Sequence, residues 1–371
     1  MYKTFTVIYI VLTSYSFLAA FLLFMKKSNQ KATFYLGLIN LMMGFMFMIA
    51  YMTVDRLSIS PVLQLYIVIP MVFFMTPLCY LYAVRLSRTE TKNDGYHFIP
   101  AIAVTVYVFA RWISRQPYPE IGIEDIFGLH YITFDLYLLL QSGLLMLGGY
   151  LLKMFLIIRS YNNDIKQVYS SIEKTNLRWL QIHLGIGMAG CFIFFITNIM
   201  QYFLPAELAP VLNRIEYAGQ AFSIVFLLSI VYFTFIQQEV KDRGNAPAYS
   251  RQRLGEQKER EYVERILSYM EEHKPYLEPE LTVQDLAAML DIPAARLTMV
   301  LNIQLKKNFY QFINSYRVEY AAGLLKDPVM ARENILTIAL EAGFNSKTSF
   351  NTYFKRIMNM TPREYRTGGT E

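Results

Sequence analysis

Apolar residues in the first 236 positions are gathered into long stretches, whereas those in the rest of the chain recur singly at helical spacing. A helix needs about 20 mostly apolar residues to cross a bilayer, and its backbone groups must pair within the helix. We therefore predict an all-α protein in which a seven-helix transmembrane bundle precedes a second helical domain. The predicted spans are residues 4–25, 32–53, 61–84, 96–114, 131–158, 180–204 and 211–236.

The loops between these stretches alternate in charge, and this alternation predicts the orientation of the chain. The odd-numbered loops are rich in cations, which are Lys26, Lys27, Lys31, Arg85, Arg88, Lys92, Lys166, Lys174 and Arg178. Because such loops stay in the cytoplasm, we expect the N-terminus outside, the C-terminal domain in the cytoplasm, and the chain in the cytoplasmic (inner) membrane. A cleaved signal peptide is the alternative for the first stretch, but that stretch exceeds the usual core of about 7–15 residues.

Composition agrees with a membrane protein and argues against several classes of function. The chain is 54% hydrophobic and 17% charged, against about 25% charged residues in average soluble domains. Cys79 and Cys191 each lie inside an apolar stretch, so the sequence predicts neither a disulfide framework nor a metal site. No nucleophile, paired-carboxylate or phosphate-loop motif is present, so the sequence indicates no enzyme and implies no cofactor.

Polar residues inside an apolar span are costly, so each is a candidate functional residue. Four of them lie towards the outer side in the predicted topology and form a candidate pocket for a small-molecule or peptide ligand: Asp135, Gln201, Glu216 and Gln220. Hydrogen bonding between helices and contact with interfacial water are the alternative roles.

The chain becomes polar after the last span. Residues 237–256 form a predicted linker, and residues 257–371 form a separate domain. Within it, LTVQDLAAML (281–290) predicts an amphipathic helix with an N-cap at Thr282, followed by a turn and a second helix from Ala294. A similar pair follows at 335–344 and 346–357, after one long helix over 309–327. Two helix-turn-helix units joined by a long helix are therefore predicted.

At this point the sequence resembles the AraC/XylS family of transcription regulators over residues 262–366. The resemblance is carried by LTVQDLAAML, by the stretch 312–318, by Gly343-Phe344, and by Thr361-Pro362 with Tyr365-Arg366. It implies two recognition helices, at 294–305 and 346–357, that enter successive segments of the DNA major groove. Two positions depart from the family pattern. Met299 stands where Arg is frequent, and Asn359 replaces a Gly, a change that the left-handed conformation tolerates.

Polar and basic side chains on the two predicted recognition helices are the candidate DNA contacts. They are Arg296, Thr298, Asn302, Ser346, Lys347, Thr348, Asn351, Thr352, Lys355 and Arg356. Between residues 296 and 366 eleven Lys and Arg face five Asp and Glu, so this part attracts phosphate in a salt-dependent way. Without the family resemblance, a solvated helix face would be the favoured interpretation.

These features together predict a membrane-anchored, one-component transcription regulator that binds double-stranded DNA and answers a signal at the membrane. By analogy with the family, a homodimer is expected. A membrane transporter or enzyme with an accessory regulatory helix-turn-helix domain is one alternative. In a third hypothesis the helix-turn-helix module binds protein instead of DNA.

Overall fold

Helices account for the regular structure of every part of the chain that the computed structural model describes, which is residues 2–27, 30–54, 61–89, 93–114, 134–172, 175–203, 229, 232 and 256–368. The all-helical prediction is therefore confirmed for these residues. The chain divides into two compact units, one made of residues 1–159 and 177–240 and the other of residues 160–176 and 241–371.

Six helices of the described chain are long and apolar enough to cross a membrane. They are α1 (Tyr2–Met25), α2 (Gln30–Val54), α3 (Pro61–Leu86), α4 (Ile99–Ile113, preceded by a 3-10 turn at Asp94–Phe98), α5 (Phe134–Val168) and α6 (Arg178–Phe203). Each coincides with one predicted span. Apart from residues 229 and 232, the seventh predicted span falls outside the described residues, as does the linker up to residue 255.

The described residues from 256 to 368, in the second unit, form seven α-helices. They are α7 (Glu256–His273), α8 (Val283–Met289), α9 (Ala294–Ile303), α10 (Phe309–Lys326), α11 (Ile335–Glu341), α12 (Lys347–Met358) and α13 (Pro362–Arg366). Most begin at a side chain that accepts a backbone N–H. Thr282 and Asp285 form the predicted reciprocal cap of α8, and Asn308 with Gln311 does the same for α10. Such caps each contribute about 1 kcal/mol and fix where a helix starts.

Helix α10 joins two small hydrophobic cores. Its N-terminal half, with Phe309, Phe312 and Ile313, packs with α7, α8 and α9. Its C-terminal half packs with α11 and α12, where Val318 and Phe350 are fully buried. The long connecting helix of the sequence prediction is thus present, and each helix-turn-helix pair has its own core.

The turn between α11 and α12 depends on Gly343, which has a φ of +82°. A Cβ added there would lie 2.6 Å from the carbonyl oxygen of Tyr276 and 2.9 Å from that of Leu277. Both the backbone conformation and the close approach therefore require glycine.

Replacing Gly343 with alanine is expected to destabilise the second unit by about 1–3 kcal/mol, because the new methyl group strains the turn and collides with backbone. Gly323→Ala is the matched control. Gly323 lies in α10 with open space around its Cα, so alanine there should be neutral or stabilising by up to about 1 kcal/mol. Chemical denaturation of the full chain measures the stability of both variants, and hydrogen exchange of the α10–α12 amides shows whether the change lies in these helices. Equal stability of the two variants would contradict this account of the turn.

Candidate nucleic-acid interface

Helix α12 presents a continuous polar face to solvent. Its exposed polar residues recur at helical spacing and are Lys347, Thr348, Asn351, Thr352, Lys355 and Arg356. All six were predicted from sequence as DNA contacts. Phe350 and Phe354 occupy the opposite side and are fully buried. The helix therefore offers amide, hydroxyl and cationic groups from a rigid support, which is the chemistry that base edges and phosphates accept.

The position of α12 is fixed by a chain of aromatic contacts. The ring centroids of Phe344 and Phe350, of Phe350 and Phe354, and of Phe354 and Tyr365 are each 5.3 Å apart. Ser346 begins the helix, where its Oγ accepts the Ser349 N–H. The hydroxyl of Ser346 is thus occupied in capping, so its role here is to orient the helix.

Helix α9, the other predicted recognition helix, is much less accessible. Five consecutive residues, from Leu297 to Leu301, are buried. Thr298 is 4% exposed, and its hydroxyl makes no hydrogen bond with any described residue. The Asn302 amide donates to Gln167 Oε1 and to the Thr298 carbonyl, both at 2.9 Å. Of the predicted contacts of this helix, Arg296 and Asn302 are half-exposed and Thr298 is buried.

The burial of α9 also explains its departure from the family pattern. Met299 is 3% exposed and belongs to the core of the first helix-turn-helix pair. A flexible thioether fills such a core without leaving a polar group unpaired. The position therefore serves packing in this chain.

Residues 286–368 match the protein-family model described as a helix-turn-helix domain. Among curated proteins, the chain is 29% identical over 105 residues to the melibiose operon regulatory protein of Escherichia coli, covering 28% of this chain and 33% of that protein. It is 30% identical over 104 residues to an uncharacterized HTH-type transcriptional regulator of Staphylococcus aureus, covering 28% of this chain and 13% of that protein. The chain thus spans between an eighth and a third of the length of these relatives.

Two solved structures are similar to the C-terminal part. One is a protein of unknown function from Listeria innocua, with 26% identity and a TM-score of 0.25, covering 28% of this chain and 94% of the other. The second is the C-terminal domain of the two-component response regulator yesN from Fusobacterium nucleatum, with 25% identity and a TM-score of 0.25, covering 29% of this chain and 98% of the other. The family match and the names of the curated relatives support a DNA-binding transcription regulator.

The candidate ligand pocket is described at one residue only. Asp135, in the first turn of α5, forms an ion pair with Arg111 of α4 and accepts the Tyr107 hydroxyl at 2.7 Å. Gln201 lies in the last turn of α6, and its side chain is outside the described atoms, as are residues 216 and 220 altogether. A ligand that uses Asp135 must therefore compete with Arg111 and Tyr107.

Sequence reasoning missed Arg317, which is only 1% exposed in the middle of α10. Its guanidinium donates to the carbonyl oxygens of Tyr276 and Glu278, both at 2.7 Å, and to the carbonyl of Ser170 at 3.2 Å. A signal was present in the sequence, since Arg317 falls four residues after Ile313 on the apolar face of the predicted helix. A planar group with five donors suits a site where several carbonyls converge.

Proposed function

We propose that this chain is a membrane-anchored one-component transcription regulator that binds specific DNA sequences in the cytoplasm. The observation that carries the proposal is the exposed polar and basic face of α12, inside a region that matches a helix-turn-helix domain. Lys347, Thr348, Asn351 and Thr352 are placed to meet bases or nearby phosphates in a major groove. Lys355 and Arg356, at the far end of the helix, are proposed phosphate contacts.

Exposed apolar side chains on the first unit support anchoring in a bilayer. Val11 of α1 is 59% exposed, Val106 of α4 63%, Leu145 of α5 62% and Phe192 of α6 66%. Apolar surface on this scale is unfavourable in water and favourable in hydrocarbon. The cation-rich loops support a cytoplasmic C-terminal unit, so that DNA is within its reach.

We also propose that a signal at the membrane controls DNA binding, since the apolar helices and the helix-turn-helix unit belong to one chain. A ligand that binds two arrangements of the helix bundle with different affinity shifts the population between them, and only to the extent of that difference. The Asp135–Arg111 ion pair is our candidate point of action, because a charged or hydrogen-bonding ligand would exchange partners there. A homodimer is proposed because two copies would lengthen the DNA site.

A triple substitution tests DNA contact by α12. Changing Lys347, Lys355 and Arg356 to glutamine is expected to weaken binding and to lower the slope of log affinity against log salt by up to about 3, since each phosphate contact contributes about 0.9. The matched control changes Lys258, Arg260 and Arg265 of α7, which are also exposed, to glutamine. Salt titrations of the full chain in nanodiscs measure both slopes. A slope that falls equally in the two variants would argue against α12 as the interface.

A further inference from the structure

A segment from the first half of the chain belongs structurally to the DNA-binding unit. Residues 160–172, here called the docking segment, comprise the last turns of α5 and the residues that follow it, and they lie in the second compact unit. Tyr169 forms an antiparallel backbone bridge with Thr282, and the Ser170 N–H donates to the Leu281 carbonyl at 3.2 Å. Val168 is 1% exposed and joins the core of the first helix-turn-helix pair.

Buried side chains of α10 hold the docking segment in place. Arg317 donates to the Ser170 carbonyl at 3.2 Å and to the Ser170 hydroxyl at 3.1 Å. The Asn314 amide donates to the same carbonyl at 3.2 Å. Both side chains are 1% exposed. Hydrogen bonds donated by a buried cation are strong, and leaving them unmade is costly. They therefore hold Ser170 firmly and in one specific geometry.

The docking segment also reaches both helix-turn-helix pairs. Gln167 accepts from the Asn302 amide at 2.9 Å, and Ser171 accepts from the Asn345 amide at 2.8 Å, next to the start of α12. Asn302 Nδ2 is engaged with Gln167 and with the carbonyl of Thr298, one turn earlier on the same face of α9. An amide whose N–H groups are engaged in this way cannot donate to a base edge.

We propose that the docking segment is an intramolecular inhibitor of DNA binding that acts by engaging the Asn302 amide of α9. While it is docked, the chain meets DNA through α12 alone, and release of the segment adds the first helix-turn-helix pair to the interface. This inference rests on the proposed function, since it assumes that the unit binds DNA.

Because the docking segment is continuous with α5, a signal at the membrane can reach it through that helix. Gln167 and Val168 are the last two residues of α5, the helix that begins with the Asp135 ion pair. A helix of 35 residues exceeds the roughly 20 needed to cross a bilayer. A change that shifts or rotates α5 therefore acts on the docking segment directly, and docked and released states are the two states that a ligand would bias.

Val168→Asp tests the inference in the full chain. A carboxylate at this buried position disfavours the docked state, so the variant is expected to bind duplex DNA at least tenfold more tightly than the wild type and to protect a longer stretch in footprinting. Asn163→Asp adds the same charge at an exposed position of α5 and should leave affinity unchanged. Affinity of Val168→Asp equal to or below that of the wild type would overturn the inference, because the segment would then be a scaffold.

A reversible lock gives the opposite perturbation. Tyr169→Cys and Thr282→Cys place thiols across the backbone bridge, where antiparallel partners are close enough for a disulfide, in a chain carrying Cys79→Ser and Cys191→Ser. The oxidised protein is expected to bind DNA at least tenfold more weakly than the same protein after reduction. Equal affinity of the two forms would overturn the inference while leaving the proposed function intact. Absence of DNA binding by the wild type, by Val168→Asp and by the reduced protein at low salt would instead remove the proposed function, and this inference with it.

Discussion

Arg317→Met is expected to destabilise the second unit by about 3–5 kcal/mol, because several buried carbonyl groups lose their charged donor and each such loss costs about 1–3 kcal/mol. Methionine keeps most of the volume but donates no hydrogen bond. The carbonyls of Tyr276, Glu278 and Ser170, which the guanidinium now contacts, would lose that donor in a buried place. Because these carbonyls belong to two separate parts of the chain, the variant should loosen the docking segment as well as the turn after α7.

Arg363→Met is the control for this experiment, since Arg363 is exposed in α13, and its effect should stay within about 0.5 kcal/mol. Chemical denaturation of the full chain compares the stability of the two variants, and hydrogen exchange of the α8 and α10 amides shows where each is destabilised. A similar small effect in both variants would show that Arg317 does not hold these segments together.

Phe350→Ala is the second substitution for which we expect a large effect. It should lower the free energy of unfolding of the second unit by about 3–5 kcal/mol. The ring is fully buried and lies between Phe344 and Phe354, with centroids 5.3 Å from each. Removing it leaves a cavity at the centre of the small core that positions α12. DNA affinity should fall together with stability, although Phe350 itself faces away from the exposed residues of the helix.

Leu340→Ala provides the comparison, because Leu340 of α11 is 52% exposed and its truncation should cost less than about 1 kcal/mol. Hydrogen exchange of the α12 amides in both variants, together with duplex titration, measures the coupling. Unchanged protection of α12 in Phe350→Ala would contradict the role assigned to the aromatic chain.

The helices were predictable because their patterns are local. Apolar stretches located six described helices, and the capping residue Thr282 located the start of α8. The left-handed positions at Gly343 and Asn359 also follow from residue type and place in the sequence. These features depend on a few neighbouring residues, so a single sequence contains enough to specify them.

Long-range contacts explain what the sequence did not predict. Residues 159–168 are polar enough to predict a loop, yet α5 continues to Val168. The helical spacing of Tyr161, Ile165 and Val168, all buried, was present in the sequence, but it acquires meaning only with a packing partner. At least for Val168, that partner is a core formed more than 90 residues later.

The candidate DNA contacts also divide into those whose exposure follows from the local pattern and those whose surroundings depend on distant residues. The exposed face of α12 was predicted from spacing, because its hydrophobic side is supplied by nearby aromatic residues. Thr298 and Asn302 have the same polar character and were also predicted as DNA contacts, but Thr298 is buried and Asn302 is bonded to Gln167. Nothing in residue type or periodicity distinguishes a polar side chain that faces DNA from one that faces a distant segment of its own chain.

Selection from a random duplex library tests the central claim most directly. The full chain in nanodiscs, as wild type, as Val168→Asp and as the Lys347, Lys355 and Arg356 triple glutamine variant, would each be used to capture DNA at low and at physiological salt. We predict that the wild type and Val168→Asp enrich a common sequence motif and that the triple variant enriches it far less. If neither the wild type nor Val168→Asp enriches any motif at low salt, this chain is not a sequence-specific DNA-binding regulator.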